Sequence, residues 1–378
     1  MKGSEVWPNY VIWPNNQFCF SGMVVVIEQR FVYFVLTDAL ERLKDMHLSQ
    51  SVTERASYYK HNQKAKTGGK TGEKYKYVSI ILDGMDQAKT RIPHWDRPPK
   101  FMDDKQKIDY HLMGTLVEGH GVSGCFIDWS VKQQFSDDSN ALLTSLERTI
   151  RRVQASRTAS GSPQPEVLYI QLDNVGSNKN HWILAYVFWL VHQKIFEKVK
   201  ISFLLVGHTH ENIDQFFSRL SCALRCQRAM TLPQLIEVAA NCWTKNPVSH
   251  IETEMIDFKS WLDTMEPEPV YNIKKQQVFT VKRNSEGKVV MRAKRYSNSA
   301  FYGEDIELLK NIPNEVSPRP VMTQTCLAYT TLFVTKTTYS PLLRNMNIIL
   351  PAFDFRPNYL IWQKHKSSKN SPFFIFKA

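Results

Sequence analysis

The sequence contains no CxxC pair, although six of its 378 residues are cysteines. Cys222 and Cys226 are four residues apart and would share one face of a helix. A zinc site would need two further soft ligands, and the surrounding sequence does not supply them. We therefore expect all six cysteines to be reduced thiols in a reducing compartment.

Long apolar runs and a signal-peptide layout are also missing. The most apolar early segment, Met23 to Leu36, contains Glu28 and Arg30 and is too short to span a bilayer. The N-terminal residues do not show a charged start followed by an apolar stretch. We expect an intracellular protein without a membrane partner, and we expect it in the nucleus, although the chain carries no compact basic targeting signal.

Two common enzyme motifs are absent. The segment KTGGKTGEKYK contains GKT, but a phosphate-binding loop of the form GxxxxGK[ST] would need a glycine at Lys64. The chain also has no GxSxG, so a hydrolase that uses its histidines remains a weaker interpretation. Nucleotide hydrolysis and serine-based hydrolysis are therefore not favoured.

The composition is that of a globular, basic protein. Hydrophobic residues make up 43% of the chain and aromatic residues 12%, which is enough to form a core. The formal net charge is +12 and the isoelectric point about 9.3. A polyanion such as DNA is the partner that this charge favours, whereas the number of copies in an assembly stays open.

The pattern of apolar residues predicts strands and helices in a definite order. Strands are expected near 77–83, 112–118, 122–129, 167–172 and 201–206, and helices over 38–66, 138–155, 178–197, 211–227 and 232–244. Three strands in succession suit an antiparallel meander, and the later alternation suits parallel pairing through crossover helices. This order is typical of the ribonuclease H-like fold, an α/β fold with a five-stranded mixed sheet and flanking helices. A C-terminal helix and a β-hairpin near 277–294 are expected as additions.

These elements suggest five segments. Residues 1–37 and 335–378 have no steady period and are left without an interpretation. Residues 38–76 form a helical segment with a basic linker, residues 77–230 the core, and residues 231–334 a C-terminal extension.

Carboxylates stand at the ends of the predicted strands. Asp83 ends the first strand, Asp173 follows the fourth, and Glu211 and Asp214 follow the fifth at the start of a helix. Buried strands that deliver acids to a sheet edge are a common way to build a site for divalent metal. Each acid also has an ordinary structural role, as a turn residue or helix cap, so it is their order along the chain that favours Mg²⁺ or Mn²⁺.

Basic and imidazole side chains accompany these acids. Lys89 and Arg91 follow Asp83, and Lys179 lies at a helix start after Asp173, where backbone amides favour phosphate. His208 and His210 flank the fifth strand's end and are interpreted as phosphate-contacting groups rather than zinc ligands. Solvated loops and internally bonded histidines are the common alternatives.

Three segments carry a family resemblance: SIILDGMDQAKTRIPH, LYIQLDNVGSNKNHW and LLVGHTHENIDQFFSRLS. They resemble the blocks of an uncharacterised eukaryotic domain family, which is itself similar to the core of DDE/D transposases. The similarity covers roughly residues 40–310, and GHTHxxxD is its most specific part. It implies two-metal-ion cleavage or strand transfer on DNA phosphodiesters, with Asp83, Asp173 and Asp214 as the metal-binding catalytic acids and Glu211 as the alternative third acid.

The same resemblance leaves a second function open. The chain shows no zinc module for DNA binding at its N-terminus, a module that complete transposases usually carry. A domesticated, catalytically inactive protein that binds nucleic acid or acts as a scaffold is therefore the alternative.

Overall fold

The computed structural model describes residues 17–20, 23–26, 29–69, 72–97, 107–132, 134–205, 212–312 and 321–323. The chain divides into two compact units, Met1–Ala56 and Ser57–Ala378. The strands are β1 (Gln17–Phe20), β2 (Met23–Val26), β3 (Tyr77–Gly84), β4 (Tyr110–Glu118), β5 (Gly124–Val131), β6 (Val167–Leu172), β7 (Lys198–Phe203), β8 (Val248–Ile251), β9 (Glu254–Ile256), β10 (Val278–Arg283), β11 (Val289–Lys294), β12 (Phe301–Ile306) and β13 (Val321–Thr323). The helices are α1 (Gln29–Thr67), α2 (Ser139–Ala159), α3 (His181–His192), α4 (Asn212–Cys226), α5 (Leu232–Asn241) and α6 (Phe258–Asp263).

The first unit contains a small antiparallel pair, in which Gln17 of β1 lies opposite Val26 of β2. Helix α1 begins in this unit, nine residues before the predicted start at Asp38. Its residues from Ser57 onward belong to the second unit. None of the described helices combines the length and the apolar character needed to cross a membrane.

One large mixed sheet organises the second unit. Nine of the described strands form it, in the order β12-β11-β10-β7-β6-β3-β4-β5-β8. Strand β6 runs parallel to β3 and β7, and β8 runs parallel to β5, whereas the other neighbours pair antiparallel. The predicted mixed α/β sheet with flanking helices is therefore confirmed.

The predicted number of five strands was wrong. The predicted hairpin, β10 and β11, does not stand apart as an addition, because β10 pairs along its length with β7. β12 then extends the same edge, and β8 extends the opposite edge. β8 and β12 are short or exposed strands without a buried apolar period, which is the pattern that predicts a strand.

One face of the sheet is covered by α2, α3 and α6. Helix α3 is buried continuously from Ile183 to Val191, because it contacts the sheet on one side and α2 and α6 on the others. A helix with this environment is apolar all round, as the sequence HWILAYVFWLVH shows. The Trp189 and Trp261 rings meet edge to face, with centroids 5.0 Å apart.

The other face is covered by α4, α5 and the last turns of α1. Helix α4 is amphipathic and buries Ile213, Phe216, Phe217 and Leu220 against the sheet. Full burial of such a side chain contributes about 1.5–3 kcal/mol. This packing fixes the first turn of α4 next to the ends of β3 and β4.

Candidate active site at the carboxyl edge of the sheet

The sheet register brings two of the predicted acids to one edge. In the parallel pair of β3 and β6, the last registered partners are Ile81 and Gln171. Asp83 and Asp173 each lie two residues further on. Since side chains alternate between faces, both acids share the face of Ile81, which is the face that α4 covers.

Backbone amides hold both carboxylates in place. Asp83 Oδ1 accepts a hydrogen bond from the Gly84 amide at 2.9 Å, and Asp173 Oδ1 accepts one from the Asn174 amide at 2.6 Å. Within the described part of the chain, the Oδ2 atoms of Asp83 and Asp173 have no hydrogen-bond partner. Each carboxylate is thus anchored through one oxygen and can offer the other to a ligand.

The third acid, Asp214, lies in the first turn of α4. The pKa of Asp83 is raised to about 7, chiefly by burial and against the opposing hydrogen bond from Gly84, and the nearby charges of Asp173, Asp214 and Asp137 add to the increase. Like charges that raise a carboxyl pKa in this way must lie close to it. The structure therefore places Asp173 and Asp214 within electrostatic range of Asp83.

Asp137 is a fourth acid near Asp83, in addition to the acids that the strand ends predict. Asp138, not Asp137, caps α2, since its side chain accepts from the Asn140 amide. Asp137 instead lies 3.1 Å from His111 Nε2 and accepts a hydrogen bond from Gln87 Nε2 at 3.1 Å. Two acids, Asp137 and Asp138, precede α2, although a helix needs only one N-cap residue. The second acid is the sequence signal that could have revealed the position of Asp137.

An open cleft of about 400 Å³ lies beside this edge. The residues that line this cleft include Gly84, Arg91, His111, Lys132 and Asp137. Burial lowers the pKa of His111, while the charge of Asp137 opposes that shift. The cleft is polar and mixed in charge, which suits a ligand with both anionic and hydrogen-bonding groups.

The predicted phosphate-contacting residues occupy different environments. Lys89 is exposed at the end of the 3-10 turn Gln87–Lys89. Arg91 is half-buried, and its Nε lies 2.6 Å from Asp109 Oδ1. His208, His210 and Glu211 lie outside the described residues.

Lys179 is buried rather than presented to a ligand. Its ammonium group donates to Asn174 Oδ1, the Lys274 carbonyl and Gln277 Oε1 at 3.1–3.2 Å. Burial lowers its pKa to about 8. With three donors and three internal acceptors, Lys179 ties the loop after Asp173 to the segment before β10, and the structure does not support it as a phosphate ligand.

The acid cluster matches Mg²⁺ or Mn²⁺ in ligand type. Carboxylate oxygens are the hard ligands that these ions prefer. Within the described ranges, however, no three His, Cys, Asp or Glu side chains lie close enough to share one ion. The present spacing of the acids is therefore wider than a coordinated ion requires.

These features define a class: a mixed α/β protein with acids gathered at the ends of adjacent parallel strands. The chain belongs to the family described as Domain of unknown function (DUF7869), whose model matches residues 100–299. The expected membership of an uncharacterised domain family is thus confirmed. The match includes Asp173 and Asp214 and begins after Asp83. A comparison with curated proteins and one with solved structures gave no significant match.

Proposed function

We propose that this protein is a transposase-derived, metal-dependent enzyme that cleaves or transfers DNA phosphodiester bonds. The observation that carries the proposal is the placement of Asp83 and Asp173 at the ends of adjacent parallel strands, with Asp214 near enough to influence the charge of Asp83. A cluster of acids in a partly buried position is costly without a bound cation, which favours a ligand-binding role over a structural one.

The strand order supports the transposase comparison. The central strands run in the order β7-β6-β3-β4-β5, with β3 to β5 antiparallel and β6 and β7 parallel to β3. This is the order and direction expected of a ribonuclease H-like sheet. In such a sheet the catalytic acids belong on the first strand, after the fourth strand and on a following helix, which are the positions of Asp83, Asp173 and Asp214.

The chain's own residues would hold and orient the reacting groups. Asp83, Asp173 and Asp214 are the residues that would bind Mg²⁺ or Mn²⁺, which when bound supplies charge neutralisation at the phosphate and a more acidic attacking water or hydroxyl group. The backbone amides of Gly84 and Asn174 keep two of the carboxylates oriented. Lys89, which is exposed on the loop after Asp83, would contact a flanking phosphate.

The second candidate function is DNA binding without cleavage. It is favoured by the spacing of the acids, since no described set of three is close enough to coordinate an ion. A domesticated protein could keep the fold and the basic charge while its acids no longer bind metal.

A cleavage assay separates the two candidates. Full-length protein would be incubated with supercoiled plasmid DNA and Mn²⁺, beside Asp83→Asn, Asp173→Asn and Asp214→Asn. Glu286→Gln is the matched control, because it removes one carboxylate from an exposed turn far from these acids in the sheet. Nicking by the wild type and the control, but by none of the Asn variants, supports the enzyme. DNA binding by all five proteins without cleavage by any supports the inactive alternative.

A further inference from the structure

The sheet face that carries Asp83 and Asp173 continues into a strip of basic side chains. We call this surface the basic strip. Its members are Lys64 of α1, Lys198 and Lys200 of β7, Lys282 of β10, and Arg292 and Lys294 of β11.

Strand register shows that the strip and the acids share one face. Tyr169 of β6 lies opposite Lys200, and Asp173 is four residues after Tyr169. Lys198 lies opposite Lys282 in the antiparallel pair of β7 and β10. Because directly opposed residues point to the same side of a sheet, the strand lysines and both acids lie on one surface.

The same alignment continues into β11. Thr280 of β10 is opposite both Lys200 and Arg292, and Val278 is opposite both Ser202 and Lys294. Helix α3 packs against β7, β10 and β11 on the other face. The basic strip is thus the side of these strands that faces away from α3.

Three lysines of the basic strip lack a carboxylate partner within the part of the chain that the structure describes. Among the described residues, no Asp or Glu pairs with Lys198, Lys282 or Lys294. Arg292 pairs with Asp305. Burial lowers the pKa of Lys198, and the nearby charges of Lys282, Lys64 and Lys294 lower it further. Folding therefore gathers like charges at a net electrostatic cost, which a polyanionic ligand would offset.

Aromatic rings are interleaved with the strip. Lys64 Nζ lies 4.2 Å from the ring centroid of Tyr77, and Lys294 Nζ lies 4.4 Å from that of Phe301. Phe301 is 45% exposed, and Lys282 is also exposed on this face of the sheet. Exposed aromatic and basic side chains on one face are typical of nucleic-acid-binding surfaces.

The position of the strip relative to the acids sets the length of DNA that could bridge them. Lys294 lies three strands from Asp173 and, by register, two residues back from it along the strands. At the usual strand spacing and rise this is about 16 Å. One strand of B-DNA advances about 3.4 Å per nucleotide, so the separation corresponds to about five nucleotides.

We propose that the basic strip binds the phosphate backbone of duplex DNA, about five base pairs from the phosphodiester positioned at Asp83 and Asp173. This inference rests on the proposed function for its choice of DNA over other polyanions. On this proposal, the DNA runs from Asp83 and Asp173 across the basic strip.

The test measures binding without metal, so that it does not depend on cleavage. Fluorescence anisotropy of a labelled DNA duplex in EDTA would compare the full-length wild type with Lys282→Gln/Lys294→Gln. The control, Lys74→Gln/Arg225→Gln, removes the same charge from two exposed residues on other elements. Circular dichroism and thermal melting would verify that both variants fold.

The strip variant is expected to bind at least tenfold more weakly than the control at low salt. Its plot of log affinity against log salt should lose about two in slope, since each phosphate contact contributes about 0.9. Equal affinities and slopes for the two variants would overturn the proposal, as would equal wild-type affinity for polyglutamate of matched charge.

Failure of the basic strip proposal can be distinguished from failure of the enzyme proposal. If the strip variant loses DNA binding but the wild type never cleaves, the strip is supported and the enzyme proposal fails. If the wild type cleaves DNA while the strip variant binds like the control, the enzyme proposal is supported and the strip fails.

Discussion

Asp83 of β3 lies directly opposite Gly114 of β4 in the antiparallel ladder. A Cβ atom at Gly114 would lie 2.8 Å from Phe217 Cε1 and 2.9 Å from Ile213 Cδ1. The missing side chain therefore allows α4 to approach the sheet next to Asp83. Because Ile213 immediately precedes Asp214 on α4, this contact also sets the distance between the first and third acids.

Gly114→Ala is expected to destabilise the protein and displace the start of α4. The new methyl group overlaps two buried side chains, and overpacking of this kind costs about 1–3 kcal/mol. Chemical denaturation would measure the loss. Gly176→Ala is the control, because a Cβ there meets no atom within 4 Å. A Gly114→Ala variant as stable as Gly176→Ala would show that α4 does not depend on this close approach.

Asp83→Asn is expected to stabilise the metal-free protein in a pH-dependent way. The folded-state pKa of Asp83 is raised from 3.8 to about 7, so the folded protein binds the proton more tightly than the unfolded chain. The contribution of Asp83 to the free energy of unfolding therefore falls as pH rises from about 4 to about 7 and is constant above that. The variant should exceed the wild type by up to about 4 kcal/mol at pH 8 and by little at pH 4.

Urea denaturation of both proteins across this pH range, in EDTA, would check the Asp83 prediction. The contributions of the other titrating groups cancel when the free energies of unfolding of the two proteins are subtracted. A stability difference that does not change with pH would mean that Asp83 ionises normally and is not surrounded by the other acids.

Lys179→Met is expected to lower stability at alkaline pH, where the buried amine carries no charge, without weakening DNA binding. Loss of the ammonium group leaves acceptors on Asn174, Lys274 and Gln277 without their donor, at a cost of about 1–3 kcal/mol. The depressed pKa of about 8 adds a pH signature, because wild-type stability from Lys179 should rise between about pH 8 and pH 10.5. Denaturation and DNA anisotropy would measure the two effects, and a loss of DNA affinity equal to that of the basic strip variant would restore Lys179 as a phosphate ligand.

Strands buried on both faces could be predicted from the sequence with accuracy. The prediction of 167–172 coincides with β6, since every residue of that strand is buried. The apolar pattern predicts the fifth strand at 201–206, whereas β7 spans Lys198–Phe203. Lys198 and Lys200 alternate with buried residues there, so the continuous apolar run begins only at Ile201, three residues after the strand does.

The candidate site was predictable where it depends on strand ends and unpredictable where it depends on distant contacts. Asp83 and Asp173 follow apolar runs, and parallel strands bring such ends to one edge. The burial of Lys179 depends on Lys274 and Gln277, which lie 95 and 98 residues away in sequence. The basic strip was missed for the same reason, because β10 and β11 had to join the sheet before their lysines could meet those of β7.

Isothermal titration of Mn²⁺ into the full-length protein at pH 8 tests the central claim most directly. Wild type and Glu286→Gln should bind Mn²⁺ alike, whereas Asp173→Asn should bind at least tenfold more weakly, with a DNA duplex present in parallel titrations. Equal binding by Asp173→Asn, or no binding by folded wild type even with the duplex, would contradict a metal site formed by Asp83, Asp173 and Asp214.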